Sequence, residues 1–125
     1  MPLIKLKSQS ERVELENLSE DYRSAKRTEQ YRFSQKAIYF PAFPGNRYLP
    51  YDALTKALTR NMSLSVTGTC GKQLPMVRLR AYYDGEFYHD FMFEKPANAN
   101  AVMDAIAARR PDLPMERETR PLHNV

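Results

Sequence analysis

The sequence predicts an α+β fold: a meander of about six or seven short antiparallel strands, preceded by one helix and followed by a second, C-terminal helix. Three observations predict it: helical periodicity over residues 8–27, short alternating runs with turn residues between them over residues 28–94, and helical periodicity again over residues 96–110. A chain of 125 residues is expected to form a single domain, because chains divide into domains only at greater length.

The first predicted helix covers residues 8–27, where Ser8 and Glu11 have the spacing of a capping box. Acidic residues precede basic ones along the segment, which suits the helix dipole. A narrow apolar stripe indicates a helix that packs on the domain rather than a coiled coil. The stripe consists of Leu15, Leu18, Tyr22 and Ala25.

Alternating runs bounded by turn residues predict the strands that follow. In order these are Tyr31–Phe33, Ala37–Phe40, Arg47–Tyr51 and Met62–Val66. Residues 52–60 fit a short helix and a strand equally well, and both readings stay open. Gly68 to Pro75 is predicted to be a loop.

A final hairpin is predicted from Val77 to Phe93, with its turn at Asp84-Gly85. Its two apolar rows consist of odd-numbered residues, so a two-residue loop would place each apolar row opposite a polar one. The rows are Val77, Leu79, Ala81 and Tyr83 on the first strand, and Phe87, Phe91 and Phe93 on the second. An odd loop length restores the register. We therefore predict a three-residue loop or a bulge at Gly85, with Leu79 opposite Phe91 or His89 and either Arg78 or Arg80 opposite Asp90.

Residues 96–110 are predicted to form the closing helix, with Pro96 in its first turn and Pro111 ending it. One face repeats apolar residues at helical spacing. These are Ala99, Val102, Met103, Ile106 and Ala107. Residues 114–125 are polar and are predicted to form a loose tail.

At QYRFSQKAIYF, RYLPYDAL and FMFEKPANANAVMDAI, the order of elements resembles a small bacterial pleckstrin-homology-like domain, over roughly residues 29–113. The resemblance implies a bent antiparallel sheet, or half-open barrel, that is capped at one end by the C-terminal helix, and it implies an interaction module. Phosphoinositide-binding members have a longer, basic first hairpin loop than Ser34-Gln35-Lys36, and the closing helix of the family commonly carries a Trp, which this chain lacks. The resemblance therefore identifies no binding residue in this chain.

Composition narrows the classes of function. The net charge is +4, with 19 basic and 15 acidic residues interspersed, whereas a nucleic-acid binder is expected to show a basic face. The charged N-terminus and the lack of an apolar run of about 18 residues predict a cytoplasmic protein that does not insert into membranes. The single Cys70 excludes an internal disulfide and is predicted to be a bystander thiol.

No catalytic, metal or cofactor site is predicted, and no enzymatic activity. Gly68 to Gln73 lacks the first glycine and the hydroxyl residue of a phosphate-binding loop. His89 lies on the apolar side of the hairpin, without a polar partner in the pattern, and is interpreted as a core or sheet-edge histidine. Glu86, Asp90 and Glu94 share one face of their strand and are interpreted as an ion-paired, solvated surface.

The candidate interaction face lies on the polar side of the final hairpin. It comprises Arg78, Arg80, Tyr82, Tyr88 and Asp90. Aromatic and arginine side chains are enriched at protein interfaces and also stack on bases. Protein contact ranks first here, plain exposure second and nucleic acid third.

The sequence therefore favours a non-enzymatic protein-interaction or scaffolding module, with a protein partner or self-association and without nucleic acid or phosphoinositide. One alternative is a small-ligand-binding protein or enzyme with a pocket around His89, Tyr51 and Glu86. Another is a nucleic-acid binder that uses the basic residues between positions 23 and 36. These are Arg23, Lys26, Arg27, Arg32 and Lys36.

Overall fold

The computed structural model describes residues 6–42, 45–65 and 73–120, and its α+β architecture confirms the predicted fold class. Within these ranges the strands form two sheets, and neither closes into a barrel. Sheet I contains β1 (Leu6–Ser8), β2 (Lys26–Thr28), β3 (Tyr31–Phe33), β4 (Ala37–Ala42) and β5 (Gly45–Pro50), in the order β1-β5-β4-β3-β2. Sheet II contains β6 (Leu54–Ser65), β7 (Gln73–Tyr83), β8 (Phe87–Phe93) and β9 (Met115–Glu116), in the order β8-β7-β6-β9.

The described strands outnumber the predicted six or seven, because β1, β2 and β9 are only two or three residues long. Their sequences, LKS, KRT and ME, lack the apolar–polar–apolar alternation of the equally short β3, YRF. Two of them also depart from the antiparallel pattern: β1 pairs in parallel with β5, and β9 pairs in parallel with β6. Segments near the two ends of the described chain therefore extend the two sheets.

The prediction of a helix over residues 8–27 is wrong for most of its length. Helix α1 covers only Ser19–Ser24, and Leu6–Ser8 forms β1. The predicted apolar stripe nevertheless packs on the domain as expected. Leu18 is buried on sheet I, with Leu15, Tyr22 and Ala25 partly buried around it.

Serine hydroxyls explain why the helix does not begin at Ser8. Ser10 Oγ accepts the backbone N–H groups of Arg12 and Val13, at 3.0 and 2.9 Å, and donates to Asp84 at 2.6 Å. Ser8, the predicted cap, donates to the carbonyl oxygen of Val13. Local bonds from serine compete with helical backbone bonds, and here they hold the segment in a turn.

The structure shows which of the two readings of residues 52–60 is correct. A short 3-10 turn at Tyr51–Ala53 leads into β6, which runs from Leu54 to Ser65. The predicted loop over Gly68 to Pro75 is partly wrong, because β7 already begins at Gln73. The rest of that loop lies outside the described residues.

The final hairpin confirms the predicted register. Tyr83 pairs with Phe87, which leaves a three-residue loop, and Leu79 pairs with Phe91. Asp84 and Gly85 both have positive φ, 53° and 89°, which glycine adopts without steric cost and aspartate tolerates in turns. Odd-numbered residues of β7 and β8 therefore face the core, and even-numbered residues face outward.

Helix α2 (Pro96–Arg109) confirms the predicted closing helix. The predicted loose tail is wrong for its first part: β9 pairs with β6, and the N–H of Glu118 donates to Thr59 Oγ1 at 2.8 Å. Residues 121–125 lie outside the described residues.

The core lies between the two sheets and α2. It contains aromatic residues of β3, β4 and β8 together with the buried face of α2, on which Val102, Met103 and Ile106 are at most 1% exposed. A smaller cluster covers the other face of sheet I. It comprises Leu18, Ala37, Tyr39 and Tyr48.

Candidate functional site

The predicted interaction face lies on the outward side of sheet II, where β7 pairs with β8. Arg80 donates to both carboxylate oxygens of Asp90, at 2.8 and 3.0 Å. Its guanidinium lies over the Tyr88 ring, 4.1 Å from the centroid, and the Tyr82 and Tyr88 centroids are 5.9 Å apart. These four residues, here called the outer ladder, form one connected group in which the two charges are already paired.

Arg78, the fifth predicted residue, does not take part in the polar contacts of the outer ladder. It lies between Arg60 on β6 and Met92 on β8. Its Nε atom is buried and has no hydrogen-bond partner among the described residues. Arg60 instead binds Glu116 on β9, at 2.7 Å.

Strand β8 is an edge of sheet II, and its C-terminal end is held by side chains that come from sheet I and the turn preceding β3. The Met92 N–H donates to the Tyr31 hydroxyl at 2.9 Å. Just beyond the strand, the Glu94 N–H donates to the Glu29 carboxylate at 2.7 Å. Both amides point away from β7. Because these directions alternate along an antiparallel strand, the even-numbered residues of β8 direct their N–H and C=O groups to the open edge.

The first half of the same edge is free. Tyr88 and Asp90 direct their backbone groups outward, and no strand within the described ranges pairs with them. Exposed aromatic side chains lie beside them: Phe87 is 44% exposed and Tyr88 is 52% exposed. This part of the strand, Phe87 to Asp90, is called the free edge below.

A cleft of about 480 Å³ is lined by His89, in the middle of the free edge. The His89 ring stacks on Phe40, with centroids 4.4 Å apart and an interplanar angle of 28°. Aromatic walls and a few polar groups are typical of binding clefts of this size. The lining includes Gln9, Gln30, Tyr31, Phe40, Arg47 and His89.

Arg47 supplies the positive charge of this cleft. It is on β5, paired with Phe40 on β4, so both side chains are on the face of sheet I that meets the core. One of its nitrogens, Nη1, donates to Gln9 Oε1 at 3.1 Å. Within the described residues it makes no ion pair with a carboxylate, and its other N–H groups remain available.

The surroundings of His89 in the cleft favour its neutral form. Burial lowers the pKa of His89 below its usual value, Asp90 opposes this change, and Arg47 adds to it. A neutral imidazole has one N–H donor and one acceptor. The cleft therefore combines one permanent cation with neutral hydrogen-bonding groups.

The predicted pocket around His89, Tyr51 and Glu86 is wrong in two of its three residues. Tyr51 is buried in the core, where its hydroxyl donates to the Ser34 carbonyl oxygen at 2.9 Å. Glu86 lies in the exposed hairpin loop. Only His89 lines the cleft.

The predicted basic group does not form one face. Lys26 and Lys36 line a second cleft, of about 450 Å³, together with Asp21. Arg27 and Arg32 are cross-strand neighbours on β2 and β3. Arg32 also lies over the Tyr22 ring, 4.5 Å from its centroid, so part of this charge is engaged within the molecule.

Asp21 and Asp84 are among the acidic residues whose structural roles were not predicted. Asp21 accepts hydrogen bonds from the hydroxyls of Ser34, at 2.6 Å, and Tyr39. Asp84 is buried and accepts both the Ser10 hydroxyl and the Glu11 N–H, at 2.6 and 2.8 Å. Their partners lie far away in the sequence, so no local pattern indicates them.

Cys70 and the segment from Gly68 to Lys72 lie outside the described residues. Within residues 6–42, 45–65 and 73–120, no three His, Cys, Asp or Glu side chains form a group that would hold a metal ion. Neither helix described is long and apolar enough to span a membrane.

Comparisons of the chain with protein-family models, with curated proteins and with solved structures give no match. The function therefore has to be inferred from the geometry of the free edge and the cleft.

Proposed function

We propose that this protein is a non-enzymatic protein-interaction or scaffolding module that binds an extended segment of a partner as an added strand on the free edge. The observation that carries the proposal is the row of unpaired backbone groups at Tyr88 and Asp90. Unpaired edges of this kind are templates for another strand. The exposed rings of Phe87 and Tyr88 supply apolar contact beside the backbone bonds.

The free edge offers four backbone groups, the N–H and C=O of Tyr88 and of Asp90. Each hydrogen bond contributes roughly 0.5–1.5 kcal/mol net, and a flexible segment loses conformational freedom when it binds. We therefore expect affinity in the micromolar range or weaker from a short segment, a range suited to reversible assembly.

A pleckstrin-homology-like architecture and a cytoplasmic location belong to the same proposal. The strand meander followed by α2, which packs against β7 and β8, supports the first. A single cysteine in 125 residues agrees with a reducing compartment and supports the second.

Proline substitution tests strand addition at a single atom. The Tyr88 N–H points away from β7, so Tyr88→Pro removes an outward donor without breaking a ladder bond, and proline is tolerated at such edge positions. Tyr88→Ala removes the same side chain and keeps the donor. The probes are seven-residue peptides selected from a displayed random library on the wild-type protein.

We expect the selected peptides to bind Tyr88→Pro roughly five- to tenfold more weakly than Tyr88→Ala, the loss of about one hydrogen bond. Bound peptide should also slow hydrogen exchange at the Tyr88 and Asp90 amides. Thermal unfolding of each variant is the control that it is folded. Equal affinity of the two variants, unprotected amides, or a library without binders would each overturn the proposal.

A further inference from the structure

We infer that the partner segment carries an acidic side chain, Asp or Glu, opposite His89, and that its carboxylate enters the cleft and binds Arg47. The inference rests on the proposed strand addition. It names the chemistry of the partner, which backbone pairing alone leaves open, because every residue except proline offers the same backbone groups.

The register of an added antiparallel strand determines which side chain reaches the cleft. Residues directly opposite each other lie on the same face of a sheet, with Cβ atoms about 4.5–5.5 Å apart. The His89 side chain lies on the core-facing side, where it lines the cleft. The partner residue opposite His89 therefore directs its side chain into the same cleft, whereas its two neighbours face outward, beside Tyr88 and Asp90.

Charge determines what that side chain is. Arg47 has no carboxylate partner within the described residues, and only one of its nitrogens is bonded, to Gln9. A lysine or arginine opposite His89 would meet a like charge. A large apolar side chain would take Arg47 out of water without a partner, which is costly. A carboxylate pairs with the free guanidinium N–H groups and forms charge-assisted hydrogen bonds.

A second copy of this chain does not meet the requirement. Antiparallel pairing of two β8 strands through their outward-facing residues would place an odd-numbered residue opposite His89. The odd-numbered residues nearest His89 in β8 are Phe87, His89 itself and Phe91, and none carries a carboxylate. The cleft therefore favours a different protein over self-association through this edge.

The selected peptides test the inference directly, and we expect them to share an acidic residue at one position. Replacement of that residue by Gln should weaken binding to the wild-type protein roughly tenfold, the effect of losing a charge-assisted pair. Arg47→Met should weaken binding of the acidic peptide by a similar factor and leave binding of the Gln peptide nearly unchanged. Arg47→Lys should recover part of the loss, since it keeps the charge without the planar fork.

Arg60→Met is the matched control, because Arg60 is on the outward side of sheet II and is paired with Glu116. It should bind both peptides as the wild type does. Selected peptides without a shared acid, or equal binding of the acidic and Gln peptides, would overturn the inference. If those peptides still protect the Tyr88 and Asp90 amides, strand addition survives and only the acidic specificity fails. If the amides stay unprotected, strand addition itself fails.

Discussion

The outward faces of the two sheets are covered in different ways. On sheet I, the segment between β1 and β2 covers Tyr39 and Tyr48, on which it packs Leu15, Leu18, Tyr22 and Ala25. On sheet II, no segment of the described chain lies over the outward face between β7 and β8, and side chains cover it by pairing with one another, as in the outer ladder.

The two arrangements have different consequences for binding. A covering segment must satisfy its own backbone: the N–H and C=O of Leu15 bond to the Tyr48 hydroxyl, at 2.9 and 3.2 Å. It also takes that face of sheet I out of reach of a partner. A ladder of side chains leaves both the face and the adjoining edge accessible. The free edge lies on the sheet whose outward face between β7 and β8 has no covering segment.

The largest expected effects are on the free energy of unfolding, and they differ between the two apolar clusters. Phe91 is fully buried between the sheets, against Tyr31 and Phe40. Phe91→Ala should lower the free energy of unfolding by roughly 3–5 kcal/mol. Leu18→Ala, in the smaller cluster, should cost about 2–3 kcal/mol, since a covering segment collapses more readily around a cavity. Urea unfolding measures both, and an equal or larger loss for Leu18→Ala would contradict the distinction.

A smaller effect is expected where the covering segment is tied to the hairpin. Asp84→Gly keeps the positive φ of the loop and removes the acceptor of Ser10 and Glu11, which should cost about 1–3 kcal/mol. Asp84→Asn should cost less, because one acceptor oxygen remains. A double-mutant cycle with Ser10→Ala should show coupling between the two sites, and simple additivity would mean that the bond contributes nothing.

The smallest effect is expected in the outer ladder. A double-mutant cycle on Arg80 and Asp90 should give a coupling of about 0.5–1 kcal/mol that decreases with salt, since the pair is partly exposed. The more exposed pair of Arg109 and Asp52 serves as the comparison, with side chains 44% and 41% exposed against 23% and 30% in the ladder. Its coupling should be weaker. A stronger coupling there would show that exposure does not govern these pairs.

The sequence was most informative where local rules agree with each other. Between Val77 and Phe93 the apolar rows lie at odd-numbered positions, and this alone requires a loop with an odd number of residues. Pro96 and Pro111 correctly mark the two ends of α2. Between Ser8 and Leu18 the same kind of reasoning failed, because serine side chains and a buried aspartate 74 residues away determine the backbone.

The candidate site was only partly accessible from the sequence. The pairing of Arg80 with Asp90 follows from hairpin parity and was among the predicted registers. The cleft could not be predicted, because Arg47 and His89 come from different sheets and meet only after the sheets pack. No local spacing relates those two positions.

Strand β9 has a consequence for synthesis of the chain. It pairs in parallel with Ala57 and Leu58 of β6, which precede it by 58 residues. Until Met115 and Glu116 have left the ribosome, the edge of β6 is unpaired at Ala57 and Leu58. Unpaired strand edges promote association between chains. Completion of the fold thus depends on one of the last segments described, and a ribosome stalled before it would hold an aggregation-prone intermediate.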